Sequence, residues 1–205
     1  MKIIYGTGNQ GKLNQVRDFL KYKQMDVEIL SLKDIEFKDE IEETGETFEE
    51  NSLIKAMAIK KYCDTNGIKE IIITDDAGLC VDALDGKPGV YSARFAGENA
   101  SQKDNLNLLL SKLKDVKDPN RTAKFICVLT VIMPDGEKLV CEGETKGKIA
   151  QNYSKLEKLT YSPVFIPEGF NKTMNELSQE ELGDTHREKA LMELIRQLKN
   201  KIDKI

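Results

Sequence analysis

The chain has a single histidine and four cysteines, none of them in C-x-x-C spacing. One histidine excludes a multi-histidine metal centre, and with no matched nucleophile motif it argues against a Ser/His/Asp triad. Cys127 and Cys141 fall in apolar, strand-like runs, where cysteine behaves as a small buried hydrophobe, so a zinc site or disulfide framework is not expected. No apolar stretch approaches the roughly 20 residues of a membrane span, and no signal-peptide pattern opens the chain. Internal repeats, low-complexity tracts and Pro/Ser-rich linkers are absent as well. The net charge of -4 argues against a general nucleic-acid binder. What remains is a 205-residue chain, 40% hydrophobic and 32% charged, expected to be a reduced cytoplasmic protein with one well-buried core.

The chain opens MKIIYGTGNQGK. KIIY predicts a short strand, GTGNQG a turn, and Leu13, Val16, Phe19 and Leu20 one face of a following helix. Gly6, Gly11 and Lys12 match G-x-x-x-x-G-K, the phosphate-cradling P-loop, but Leu13 stands where that loop needs a Ser or Thr hydroxyl for magnesium. A strand–turn–helix unit still offers N–H groups and a positive helix end to an anion, with Lys12 and Asn9 as added donors. Residues 27–31 predict a second strand. Thr47 and Glu50 form a capping box for a helix to about Tyr62, with Leu53, Met57 and Lys61 along one side. Asn51 and Lys55, four apart, share another face and point either at a common site or at solvent.

EIIIT predicts a buried strand ending at Asp75-Asp76, a position where open α/β sheets place functional groups. Paired acids there suit a magnesium-bound triphosphate. Glu42 and Glu43 lie in an acidic loop whose weight depends on what it faces. Further on, Leu106, Leu109, Leu110 and Leu113 mark a helix, and KFICVLTVIM and KLVCEG flank Pro134-Asp135-Gly136 as a hairpin. Thr185 and Glu188 cap a last helix that turns Leu191, Leu194, Ile195 and Leu198 inward and sets His186 and Arg187 at its start. The fold class expected is α/β with a mixed sheet and flanking helices.

Taken together, TGNQGK, EETGETFEENSLIKA, TDDAGLCVDALDGKPGVYSARFAGENA, FICVLTV, YSPVFIPEG and THREKAL resemble the inosine triphosphate pyrophosphatases, over nearly the whole chain and in the correct order. The resemblance implies two lobes around a central cleft, one catalytic domain over residues 1–205, a homodimer and Mg2+. It implies hydrolysis of noncanonical purine nucleoside triphosphates such as dITP, ITP and XTP to monophosphate and pyrophosphate. By motif position Glu42 and Asp76 would serve the metal, Asp76 would also be the base, and Asp75 would support it. Thr7, Gly8, Asn9, Lys12 and Lys172 would hold phosphates, with Lys55 among the substrate-binding residues. Ala77, Tyr161, Ser162, His186 and Arg187 would border the nucleotide. The resemblance also makes the P-loop match a coincidence of glycines.

Three departures from the family pattern stand out. Gln15 replaces a glutamate, Ala77 replaces the serine of D-S-G, and Lys158-Leu159-Thr160-Tyr161-Ser162-Pro163 replaces G-F-G-Y-D-P. The phosphate and metal groups are retained while the base-side groups change, which predicts the same chemistry with altered base preference. The alternatives are a pyrophosphatase for another modified nucleotide, a catalytically degenerate nucleotide sensor, and a P-loop nucleotide kinase.

Overall fold

The computed structural model describes residues 1–154 and 161–202. Strand β1 (Lys2–Tyr5) buries Ile3, Ile4 and Tyr5 and stops at Gly6. Helix α1 (Gln10–Tyr22) starts where the Asn9 side chain accepts the N–H groups of Gly11 and Lys12, and it turns Leu13, Val16, Phe19 and Leu20 inward, as their spacing predicts. After β2 (Glu28–Leu30) comes α2 (Phe48–Thr65), opened by the Thr47/Glu50 capping box. Its buried side is Asn51, Ser52, Ala56, Ile59 and Cys63, while Met57 is exposed. The inward stripe is therefore the neighbour of the Leu53–Met57–Lys61 side, because small and polar side chains are what let the start of α2 approach the strands closely.

Strand β3 (Ile71–Val81) does not end at Asp75-Asp76 but carries the pair at its middle. Apolar Leu79 and Val81 keep the strand going, since both are fully buried. Then follow α3 (Gln102–Lys112), β4 (Thr122–Ile132), β5 (Lys138–Ile149), β6 (Phe165–Pro167), α4 (Gln179–Leu182) and α5 (His186–Ile202). Among the described residues six strands form one mixed sheet in the order β2-β1-β3-β4-β5-β6. β1 runs parallel to both β2 and β3, and β5 antiparallel to β6. The hairpin expected at Pro134-Asp135-Gly136 joins β4 to β5.

The chain groups into two compact units. The first comprises Met1–Asp76, Val128–Glu142 and Ala190–Ile205. One of its clusters joins Ile4 and Ile72 of the sheet to Ala56, Ile59 and Cys63 of α2. The second comprises Ala77–Cys127 and Gly143–Lys189, with a core of Leu79, Val81, Leu106, Leu109, Leu113, Phe125, Ile149, Tyr161 and Phe165. Arg121 is buried in that unit, and its guanidinium donates to the carbonyls of Leu113, Val116, Ile149 and Ala150. A planar fork with five donors satisfies so many carbonyls where a lysine could not.

Candidate active site

In the first unit the β1–α1 turn is held by its own side chains. Thr7 Oγ1 accepts the N–H of Asn9 at 3.1 Å, and Asn9 Oδ1 accepts those of Gly11 and Lys12 at 2.9 and 3.2 Å. Asn9 therefore acts as a helix cap. Gly8, Asn9 and Gly11 stay exposed at the turn. Lys12 leaves α1 to reach the middle of β3, where its Nζ lies 2.8 Å from Asp75 Oδ2. The Asp75 side chain is wholly buried and that of Lys12 is about a quarter exposed. The lysine of the apparent P-loop is thus anchored by a carboxylate.

Asp76 has a different set of partners. Asn51 Nδ2 donates to its Oδ2 at 3.2 Å, and Lys55 Nζ stands 4.0 Å from its Oδ1. Lys55 also pairs with Glu43 at 3.0 Å. Asn51 is aimed by the loop before α2, since its Oδ1 accepts the Gly45 N–H at 2.8 Å. A Cβ on Gly45 would stand 2.9 Å from the Asn51 backbone nitrogen, so that approach requires glycine. The start of α2 is fixed to the sheet through Ser52, whose carbonyl accepts from Thr74 Oγ1 at 2.6 Å and whose hydroxyl meets Thr130 Oγ1 at 2.7 Å. Burial raises the Asp76 pKa above its ordinary 3.8, and Glu43 raises it further, while Lys55, the Asn51 bond and Lys12 act the other way. The result is a pair of adjacent carboxylates in different settings, Asp75 gripped by Lys12 and Asp76 held by Asn51 near Lys55. That is the arrangement expected of an acid/base site.

The acidic loop is only partly drawn in. Glu43 faces Lys55, whereas Glu42 is exposed. Among the described residues no group of three or more His, Cys, Asp or Glu side chains forms a ready-made metal cage.

The remaining sequence-predicted residues lie in the second unit. Ala77 follows Asp76 on β3. Tyr161 packs in the core and donates its hydroxyl to the Ser92 carbonyl at 3.0 Å; burial pushes its pKa up. Ser162 is buried, and its carbonyl accepts from the Asn175 N–H. Lys158, Leu159 and Thr160 lie outside the described residues. Lys172 is exposed, close enough to Glu176 and Glu181 to help hold both carboxyls below their usual range, after their hydrogen bonds to Thr173 and Ser178. Thr185 and Glu188 cap α5 as predicted, with Glu188 Oε2 accepting both the Thr185 N–H and its hydroxyl. At that helix start His186 stacks on Phe125, ring centroids 5.0 Å apart and planes 14° from parallel, and Arg187 is buried.

The second unit also holds a cavity of about 620 Å³, walled by Lys124, Lys146, Lys148, Asp118, Ile166 and Phe170 among others, and by none of the predicted site residues. Its lysines are already matched with carboxylates: Lys124 and Lys146 with Glu144, and Lys148 with Asp118.

A model of the Ham1 family matches residues 3–197. The chain belongs to the Ham1 family. Proteins named dITP/XTP pyrophosphatase are similar to this Ham1 chain along its length. The one from Clostridium perfringens is 40% identical over 200 residues, covering 97% of each chain, and that of Bacillus subtilis 41% identical, covering 93% of each. Among solved structures, the Staphylococcus aureus Ham1 protein superposes with a TM-score of 0.83 at 36% identity, covering 98% of this chain and all of its own. The Coxiella burnetii HAM1 protein gives 0.83 at 30% identity, over 98% and 99%.

Within this Ham1 chain, two residues of the Asp76 environment, Glu43 and Asn51, go beyond the sequence-predicted set. Asn51 was signalled by its spacing from Lys55. Nothing in a run of adjacent glutamates tells Glu43 from Glu42 before the loop is folded.

Proposed function

We propose that this chain hydrolyses deaminated purine nucleoside triphosphates (dITP, ITP and XTP) between the α and β phosphates, releasing monophosphate and pyrophosphate. The observation that carries the reading is the Asp75-Asp76 pair, buried at the middle of β3 with a separate lysine for each carboxylate. Family membership supports it. We take the whole chain to act as one pyrophosphohydrolase, cytoplasmic and homodimeric, that clears damaged nucleotides from the pool.

In this reading Asp76 is the base that takes a proton from the attacking water, since a desolvated carboxylate is a stronger proton acceptor than an exposed one. Asn51 and Lys55 hold it in place. Asp75 keeps Lys12 at the strand, from where the ammonium turns to the phosphates together with the Thr7–Asn9 turn. His186 and Arg187 border the base side, with Tyr161 and Ser162. The acids offer hard oxygen donors, and one or two carboxylates are enough for magnesium when phosphate and water complete its shell. Asp76 and Glu42 would hold it, Glu42 lying exposed on the loop before α2. Bound magnesium would offset the phosphate charge and that of the leaving pyrophosphate. Replacement of the usual base-side aspartate by Ser162 supports a base preference looser than the family's. Pyrophosphate release from ITP by the wild type, and its loss in Asp76→Asn, tests the reading; equal release by both proteins refutes the role of Asp76.

A further inference from the structure

Thr145 of β5 is buried, 7% exposed, and its Oγ1 has no hydrogen-bond partner among the described residues. Its neighbours follow from the hairpin. At one end the Met133 N–H donates to the Glu137 carbonyl, and at the other the Ile149 N–H donates to that of Arg121. The two strand segments between these bonds are equal in length, so the same register holds at both ends and sets Thr145 opposite Phe125. Side chains opposite each other in an antiparallel pair share a face and touch. Phe125 in turn packs on Phe165, centroids 4.7 Å apart, and carries the His186 ring. Valine would fill this aromatic and aliphatic setting with the same shape, whereas a buried hydroxyl without a partner is unfavourable.

We infer that Thr145 is a specificity-determining residue of the His186 locus, its hydroxyl making its hydrogen bond to the nucleotide seated there. A hydroxyl both donates and accepts, so it serves the oxo edge of a deaminated purine as well as a ring N–H. The inference rests on the nucleotide reading of the site given above. Thr145 fixes neither metal nor attacking water, so its loss acts on affinity and base choice.

The test compares wild type, Thr145→Val and Thr145→Ser by calorimetric titration with ITP, by steady-state pyrophosphate release and by thermal unfolding. Thr145→Val is expected to unfold at or above the wild-type temperature and to bind ITP about tenfold more weakly, the loss falling on KM, with Thr145→Ser restoring affinity. Wild-type affinity in Thr145→Val overturns the inference. So does weaker binding accompanied by a lower unfolding temperature without rescue by serine, which would make the hydroxyl structural. If the wild type binds ITP without releasing pyrophosphate, the hydrolase reading fails while the binding comparison still decides Thr145.

Discussion

Gly6 is the point at which β1, β3 and α2 meet, and Gly6→Ala is the sharpest test of how the strand carrying Asp75-Asp76 is held. A Cβ at Gly6 would stand 2.3 Å from Ile59 Cδ1 and 2.7 Å from Thr74 Cγ2. Ordinary carbon contacts are about 3.5–4.0 Å, so both are hard overlaps. Neither neighbour yields cheaply. Ile59 is fully buried in the α2 cluster, and Thr74 is fully buried with its hydroxyl held on the Ser52 carbonyl. The φ of Gly6 is outside the left-handed region, so the constraint is one of room. Over-packing of this kind costs about 2–3 kcal/mol. Ile59→Val removes the closer atom at a cost of about 1 kcal/mol by itself. In the double variant the Ile59 clash is gone and the Thr74 clash remains, so the two changes should couple favourably by about 1 kcal/mol. Urea unfolding of the four proteins measures the cycle. Turnover of Gly6→Ala should fall as well, because α2 carries Asn51 and Lys55 to Asp76. A Gly6→Ala protein within about 0.5 kcal/mol of wild type, or strictly additive variants, would refute this packing.

Three further outcomes follow from the same geometry. Burial raises the Asp76 pKa above 3.8, so the folded state holds a proton that the unfolded chain has lost at the same pH. Its contribution to stability is therefore greatest below pH 3.8 and is lost as pH rises through the raised value. Metal-free Asp76→Asn should lack that downward term, and its stability relative to wild type should increase across the window in denaturant titrations at stepped pH. Lys12→Met breaks the pair with buried Asp75 and should lower stability by about 3 kcal/mol by urea unfolding, with a much smaller loss in the Lys12→Met/Asp75→Asn double variant. Arg121→Lys cannot supply the fork that satisfies four carbonyls and should cost about 2 kcal/mol by the same assay; wild-type stability there would show that those bonds contribute little.

Much of the fold was legible because local chemistry and tertiary structure agree. The inward face of α1 and the buried Leu191 and Leu194 of α5 follow from leucine spacing, whereas Ile195 and Leu198, expected inward, are only half-buried. The starts of α2 and α5 follow from Thr47/Glu50 and Thr185/Glu188. Two features were not legible. The continuation of β3 through Asp75-Asp76 depends on how Leu79 and Val81 pack, and two adjacent charges conceal it. The buried face of α2 is set by close approach to Gly6 and Thr74, so it is lined by Asn51, Ser52 and Ala56, which no hydrophobic pattern marks. For the candidate site, the acids and Lys12 stand out because charged groups interrupt an apolar strand and follow a glycine turn. Glu43 depends on loop geometry. Thr145 depends on strand register and on the absence of a hydrogen-bond partner among the described residues, which a single sequence does not carry.

The central claim is hydrolysis at the α–β bond, and pyrophosphate release with magnesium across dITP, ITP, XTP, the common triphosphates and modified pyrimidine triphosphates tests it directly. Release from the deaminated purines, with monophosphate as the other product and with ATP discriminated less sharply than in relatives that keep the base-side aspartate, is the predicted result. Nucleotide binding without pyrophosphate from any member of the panel, or release of orthophosphate and diphosphate instead, would contradict it.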